Sequence, residues 1–235
     1  MSSPLKKSVE LFYDVVSPYS WVAFEVLVRY KTIWTNIDLK LKPVFLGGLI
    51  HESGNRSPVY VVNKGKYNFR KDIPRLARYY QIPIRIPKNP SIVMFEKTSL
   101  TAMRFLTAIN TEHPEYTEKL SRELWVRAWS RDEGIFDKND LMTAAKMAGI
   151  DEVISERALD KVTDDGIKKT LRAVTNDALN HGAFGVPTIV VYINNKPEIV
   201  FGSGRFPILA TLLEEEWKGP QNHMSFFKPD ENLNV

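Results

Sequence analysis

The 235 residues contain no cysteine. Disulfides, a thiol nucleophile, iron–sulfur clusters and cysteine-ligated zinc are therefore excluded, and any sulfur chemistry must arrive with a bound molecule. Histidine is scarce. His51, His113, His181 and His223 are scattered, with no HExxH and no two histidines four apart, so no metal site is expected. Long apolar runs are missing as well; none approaches the ~18 residues of a membrane span, and no membrane insertion is expected. Met1-Ser2-Ser3-Pro4-Leu5-Lys6-Lys7 lacks the apolar core of a secretory signal and is short for an Arg-rich transit peptide. Leu233-Asn234-Val235 is not a Ser-Lys-Leu type peroxisomal signal.

What is present has the balance of a soluble globular protein, with 43% hydrophobic and 26% charged residues. The net charge of +4 is too small by itself to imply nucleic acid. Its distribution says more. Residues 51–90 carry nine Lys/Arg (Arg56, Lys64, Lys66, Arg70, Lys71, Arg75, Arg78, Arg85, Lys88) against Glu52 and Asp72, so the remainder of the chain is net negative. This stretch reads either as a solvated basic face or as an electrostatic funnel for a small anion. Few stacking aromatics and a short basic stripe speak against nucleic acid.

Residues 9–16 read as a buried, central strand. Ser17 suits an N-cap and Pro18 the first helical position, with a helix to Tyr30 carrying Val22, Val26 and Tyr30 on one face. Ile37, Leu39 and Leu41 alternate as a second strand ended by Pro43. A Gly/Pro/Ser-rich loop is expected from Gly47 to Pro58, then helices from about 68 to 182, closed by glycines at 149 and 182. Residues 188–193 and 198–201 read as a hairpin around Asn194-Asn195-Lys196, followed by a helix from Phe206 to Trp217. The tail from Gly219 is polar and is expected to lie loose or on a partner. The order β-α-β, helical block, α-β-β-α predicts an α/β thioredoxin-like fold. Residues 1–65 and 183–235 form the thioredoxin-like part, and 66–182 an inserted helical domain.

Three segments carry possible chemistry. Ser17-Pro18-Tyr19-Ser20 occupies the strand-to-helix position where a redox enzyme of this fold would have Cys-x-x-Cys. With serine at both ends, disulfide exchange is impossible, but a helix N-terminus still favours an anion. Ser17 either caps the helix or donates to a ligand's thiolate; no adjacent His or Lys would ionise it. Gly185-Val186-Pro187-Thr188 precedes the third strand. By analogy with thioredoxin-like folds Pro187 is expected to be cis, with the Val186 backbone free to pair with a peptide-like ligand. Phe201-Gly202-Ser203-Gly204-Arg205 reads as an anion-binding nest or an ordinary turn.

Glu10 to Trp21, Ser53-Gly54-Asn55, Ser121-Arg122-Glu123-Leu124-Trp125, Gly182 to Pro187 and the Phe201–Arg205 turn together resemble a kappa-class glutathione transferase, from about Ser8 to Pro220. The resemblance implies glutathione conjugation and glutathione peroxidase activity, glutathione as co-substrate with no cofactor, a homodimer, and a mitochondrial or peroxisomal home. The missing peroxisomal signal favours the mitochondrion, with the peroxisome or the cytoplasm as alternatives. Carried over, Ser17 faces the glutathione sulfur as the catalytic hydroxyl, and Pro18 and Tyr19 line that site. Asn55 and Lys64 hold the glycine end, Val186 and Pro187 meet the cysteinyl backbone, and Ser203 and Gly204 take the γ-glutamyl end. Gly204 departs from the family, which usually has Asp there, so weaker glutathione affinity is expected. Tyr116, Trp125 and Trp129 are expected to supply apolar surface for the dimer. A glutathione-dependent isomerase of the 2-hydroxychromene-2-carboxylate type, and a non-catalytic peptide-binding module, are the competing readings.

Overall fold

The computed structural model describes residues 6–90, 92–93 and 97–220. The expectations for the N-terminal leader, for His223 and for Leu233-Asn234-Val235 lie outside the described residues.

One four-stranded sheet has the order β2-β1-β3-β4, built from β1 (Lys7–Tyr13), β2 (Ile37–Pro43), β3 (Thr188–Ile193) and β4 (Lys196–Phe201). β1 and β2 are parallel, a pairing that needs a crossover, and α1 (Pro18–Tyr30) supplies it. β3 runs antiparallel to both neighbours, and its turn to β4 holds Asn194 and Asn195 at φ 51° and 63°, the hairpin geometry those residues favour. Side chains alternate along β1. Val9, Leu11 and Tyr13 join the main core with α1 and the inserted helices α5 (Leu100–Glu112), α6 (Thr117–Trp129) and α7 (Lys138–Met147). Phe12 faces the other way, with Val190, Leu49 and Ala178. Ala178 lies on α9 (Asp165–Asn180), so α9 packs on the sheet.

Five expectations are corrected. β1 stops at Tyr13 because Asp14 folds the next residues into a turn: its side chain accepts the Val16 N–H and its carbonyl the Ser17 N–H. Gly47 and Gly48 are helical, within α2 (Leu46–Glu52); a Cβ on Gly47 would sit 2.7 Å from the Phe45 ring, so the glycines serve close packing. The helical block is interrupted: after α3 (Val62–Tyr67), a π-helical stretch (Asn68–Asp72) and α4 (Ile73–Tyr80), residues 82–89 are non-helical, broken by Pro83 and Pro87. α8 (Glu152–Asp160) precedes α9, and α10 (Phe206–Leu213) ends at Glu214, whose φ is +59°. Trp217 is thus outside the helix, stacked on Tyr30 at 4.8 Å and Phe206 at 5.5 Å, while Tyr30 donates to the Gly219 carbonyl. The first two residues of the expected tail, Gly219 and Pro220, are docked on α1, and the remainder of that tail lies outside the described residues.

α1 is buried all round except at Tyr19. Both its charged residues have partners: Glu25 accepts from Trp21 Nε1 at 3.1 Å and Arg122 Nε at 2.8 Å, and Arg29 donates through Nη1 to the Tyr80 carbonyl at 2.7 Å. Trp125 and Trp129 are fully buried in the same core, which removes them as a docking surface.

Candidate active site

Strand register brings the singled-out turns to one end of the sheet. Pairing Phe12 with Thr188 sets the Gly182–Pro187 run beside the turn that carries Ser17. The Pro187 carbonyl accepts the Gly202 N–H at 3.0 Å, which draws in the Phe201–Arg205 turn. Asn55 Nδ2 donates to the Phe184 carbonyl at 2.7 Å, which draws in the Ser53–Asn55 loop.

Ser17 is 6% exposed and has extended backbone, and its Oγ accepts the Ser20 N–H at 3.1 Å. It is therefore an N-cap. That bond uses a lone pair and leaves the hydroxyl proton for another acceptor. Pro18 has no N–H, the Ser20 amide is spent on Ser17 Oγ, and the Trp21 amide goes to the Ser17 carbonyl at 3.2 Å. The Tyr19 amide is left with no acceptor among the described residues. Two donors thus stand at the positive end of α1, with no acidic residue in its first turn.

The Ser121–Trp125 segment braces this turn from α6. Trp125 Nε1 donates to the Ser17 carbonyl at 3.0 Å and lies parallel to Trp21, and Ser121 Oγ is 2.7 Å from Tyr13 Oη. Sequence reasoning missed Asp14 behind it. Fully buried, its carboxylate accepts from the Val16 amide at 2.9 Å, the Leu46 amide at 2.9 Å and Ser99 Oγ at 2.8 Å. Burial pushes its pKa up to about 6, with the hydrogen bonds opposing. Two of its partners lie far along the chain, so no local signal could have found it.

The remaining residues divide. Tyr19 donates its hydroxyl to Asp72 at 2.9 Å, tying α1 to the basic segment; burial, then Asp72, hold its phenol far above the ordinary range. Val186 is buried, its peptide bond to Pro187 is cis, and its own N–H and C=O have no partner among the described residues. Ser203 is buried and Gly204 exposed, after Gly202 at φ +90°. A Cβ at Gly204 meets nothing within 4 Å and its φ is not left-handed, so neither space nor backbone requires glycine there. Asn55 is largely occupied, with Nδ2 on Phe184 and Oδ1 on the Arg56 amide at 2.8 Å, leaving one Nδ2 hydrogen. Lys64 stands exposed on α3, and no contact among the described residues ties it to the others. Arg56, Lys66, Arg70, Lys71 and Arg75 are likewise exposed and without an ion pair among the described residues.

Residues 8–214 match the DSBA-like thioredoxin domain. Glutathione S-transferase kappa 1 of Homo sapiens is 46% identical over 217 residues, covering 92% of this chain and 95% of that protein. The chain belongs to the kappa class of glutathione transferases. The kappa 1 protein of Rattus norvegicus is also 46% identical over 217 residues, with the same coverage. A solved 2-hydroxychromene-2-carboxylate isomerase superposes with a TM-score of 0.70 over 88% of this chain and 94% of its own, at 19% identity, and so shares the fold. In this kappa-class chain serine occupies both ends of the motif at the head of α1, and the resulting site offers hydrogen-bond donors where a redox relative would offer sulfur.

Proposed function

We propose that this chain binds glutathione with its sulfur at Ser17 and transfers the thiolate to small electrophiles. The observation that carries the reading is a conjunction: two unused donors, Ser17 O–H and Tyr19 N–H, stand at the same end of the sheet as the unused backbone edge of Val186. A tripeptide thiol presents the matching groups, a sulfur anion and a short extended backbone, and its net negative charge suits the exposed cations of 51–90.

A free cysteinyl thiol has a pKa near 8.5, so only a few per cent is thiolate at pH 7. The helix terminus and the Ser17 hydroxyl both favour the anion, and each unit of depression is worth 1.36 kcal/mol. No side-chain base is needed; the thiol proton leaves to solvent. The sulfur lone pair then forms a C–S bond at an electrophilic carbon as the leaving group departs with its electron pair. With a hydroperoxide the sulfur attacks the terminal oxygen, an alcohol leaves, and a second glutathione condenses with the sulfenate to give disulfide and water. In this reading Asn55 and Lys64 hold the glycine end, and Ser203 and Gly204 the γ-glutamyl end.

The same reading includes a homodimer, supported by Phe201 at the end of the edge strand and Phe184 beside it, their rings tilted at 38° with centroids 4.3 Å apart and 41% and 43% exposed. Residence in the mitochondrion rests on the family resemblance. The decisive experiment is calorimetry with glutathione, joined to a conjugation assay on a halogenated nitroarene. Saturable binding and glutathione-dependent product are expected, and no binding at millimolar glutathione would overturn the proposal.

A further inference from the structure

We propose that Glu10, Asp177 and His181 form a binding site for a divalent transition-metal ion of the Zn2+ type, on the α9 face of the sheet. Glu10 lies mid-strand in β1, Asp177 is in the last turn of α9, and His181 caps that helix. His181 Nε2 is 3.6 Å from Asp177 Oδ1, and one ligand atom from each of the three lies within 4.8 Å of the others. Tetrahedral zinc, with bonds of about 2.0–2.1 Å, wants ligand atoms roughly 3.3–3.5 Å apart. Small rotamer changes close the set.

The second observation is the state of Glu10. Its side chain is 9% exposed, yet no donor among the described residues lies within hydrogen-bonding distance, and Lys42 Nζ stands off at 3.7 Å. Among the described residues Glu10 is thus held by one long ion pair alone, and a bound cation would give its carboxylate a closer partner. Two carboxylates and an imidazole suit a borderline ion such as Zn2+ and leave a fourth position for water. Tyr192 Oη lies 3.4 Å from the same His181 Nε2, so that hydroxyl must turn aside when the nitrogen takes the ion. The nearby Lys42 charge opposes a cation, so micromolar affinity is expected, with Lys42, 29% exposed, turning to solvent. Spacing between histidines carries no signal for this cluster: the pair on α9 is Asp177 and His181, and Glu10 comes from the other end of the chain.

The test is calorimetry with Zn2+ on the untagged protein without glutathione, where the lack of cysteine removes any thiolate background. One saturable site of micromolar affinity is expected. It should weaken at least tenfold in Asp177→Asn and in His181→Gln, each shown folded by circular dichroism. His113→Gln, which removes an exposed pairing with Glu115 at 3.6 Å, should leave it unchanged. Absence of saturable binding, undiminished affinity in either cluster variant, or loss in His113→Gln would overturn the assignment. Since no glutathione is present, failure here leaves the transferase reading intact, and the reverse.

Discussion

A serine hydroxyl has one proton and two lone pairs, and at position 17 the cap takes only a lone pair. Capping and thiolate donation are therefore compatible, although sequence alone sets them as alternatives. Ser17→Ala should show both losses at once. Stability should fall by about 0.5–2 kcal/mol from the lost cap. Bound glutathione, titrated by the ultraviolet absorbance of its thiolate, should ionise about one to two units higher, because a hydrogen bond to a charged group is worth roughly 1.5–3 kcal/mol. The rate at pH 7 should then drop tenfold or more. A destabilised variant with an unshifted titration would leave Ser17 a cap alone. Gly204 allows the converse test. Its surroundings are open and its backbone ordinary, so Gly204→Asp should fold normally and tighten glutathione about tenfold or more by calorimetry, through a charge-assisted bond to the γ-glutamyl ammonium. Unchanged affinity would place the ammonium elsewhere. The Ser17 cap and the cis Val186–Pro187 bond are legible in the sequence because each belongs to a short local motif; the setting of Asp14 is not, because Leu46 and Ser99 hold it.

At the scale of elements, the strands, α1 and the closures of α7 and α9 by Gly149 and Gly182 follow from apolar period and left-handed glycine, with φ of +76° and +87°. Apart from the break at Pro83 and Pro87, which is local, the corrected boundaries share a cause: a third body decides each of them. An apolar run reads as strand through Val16, but the Asp14 carboxylate bends it; a glycine pair reads as loop, but the Phe45 ring needs the room; α10 reads on to Trp217, but that indole is drawn off to Tyr30. The turn after β1 has a pH signature. Because the folded-state pKa of Asp14 is raised from 3.8 to about 6, folding favours the protonated form. That contribution is full below pH 3.8 and disappears as pH rises through about 6. The roughly two units amount to about 3 kcal/mol. Urea unfolding should show the advantage of wild type over Asp14→Asn narrowing by up to that amount from pH 4 to pH 7. A gap independent of pH would mean that Asp14 stays ionised throughout.

At the scale of the molecule, the proposed dimer needs another surface than the buried Trp125 and Trp129, and the exposed rings of Phe201 and Phe184 offer one. Sedimentation at micromolar concentration should give twice 27.0 kDa, and Phe201→Lys should return it to one chain. A wild-type mass of one chain would remove the dimer from the proposal. The sheet itself also has a history in time. β1 sits between β2 and β3, yet its antiparallel neighbour begins at Thr188, roughly 175 residues beyond Tyr13. A ribosome adding about 5–20 residues per second takes some ten to thirty-five seconds to cover that gap. For that interval the emerging chain can offer β1 only β2 and whatever inserted helices have already appeared, with one row of its backbone amides and carbonyls open to any other strand in reach. Nascent chains stalled before Thr188 are accordingly where chaperone dependence and edge-to-edge aggregation should concentrate, and release past Ile193 is where both should end.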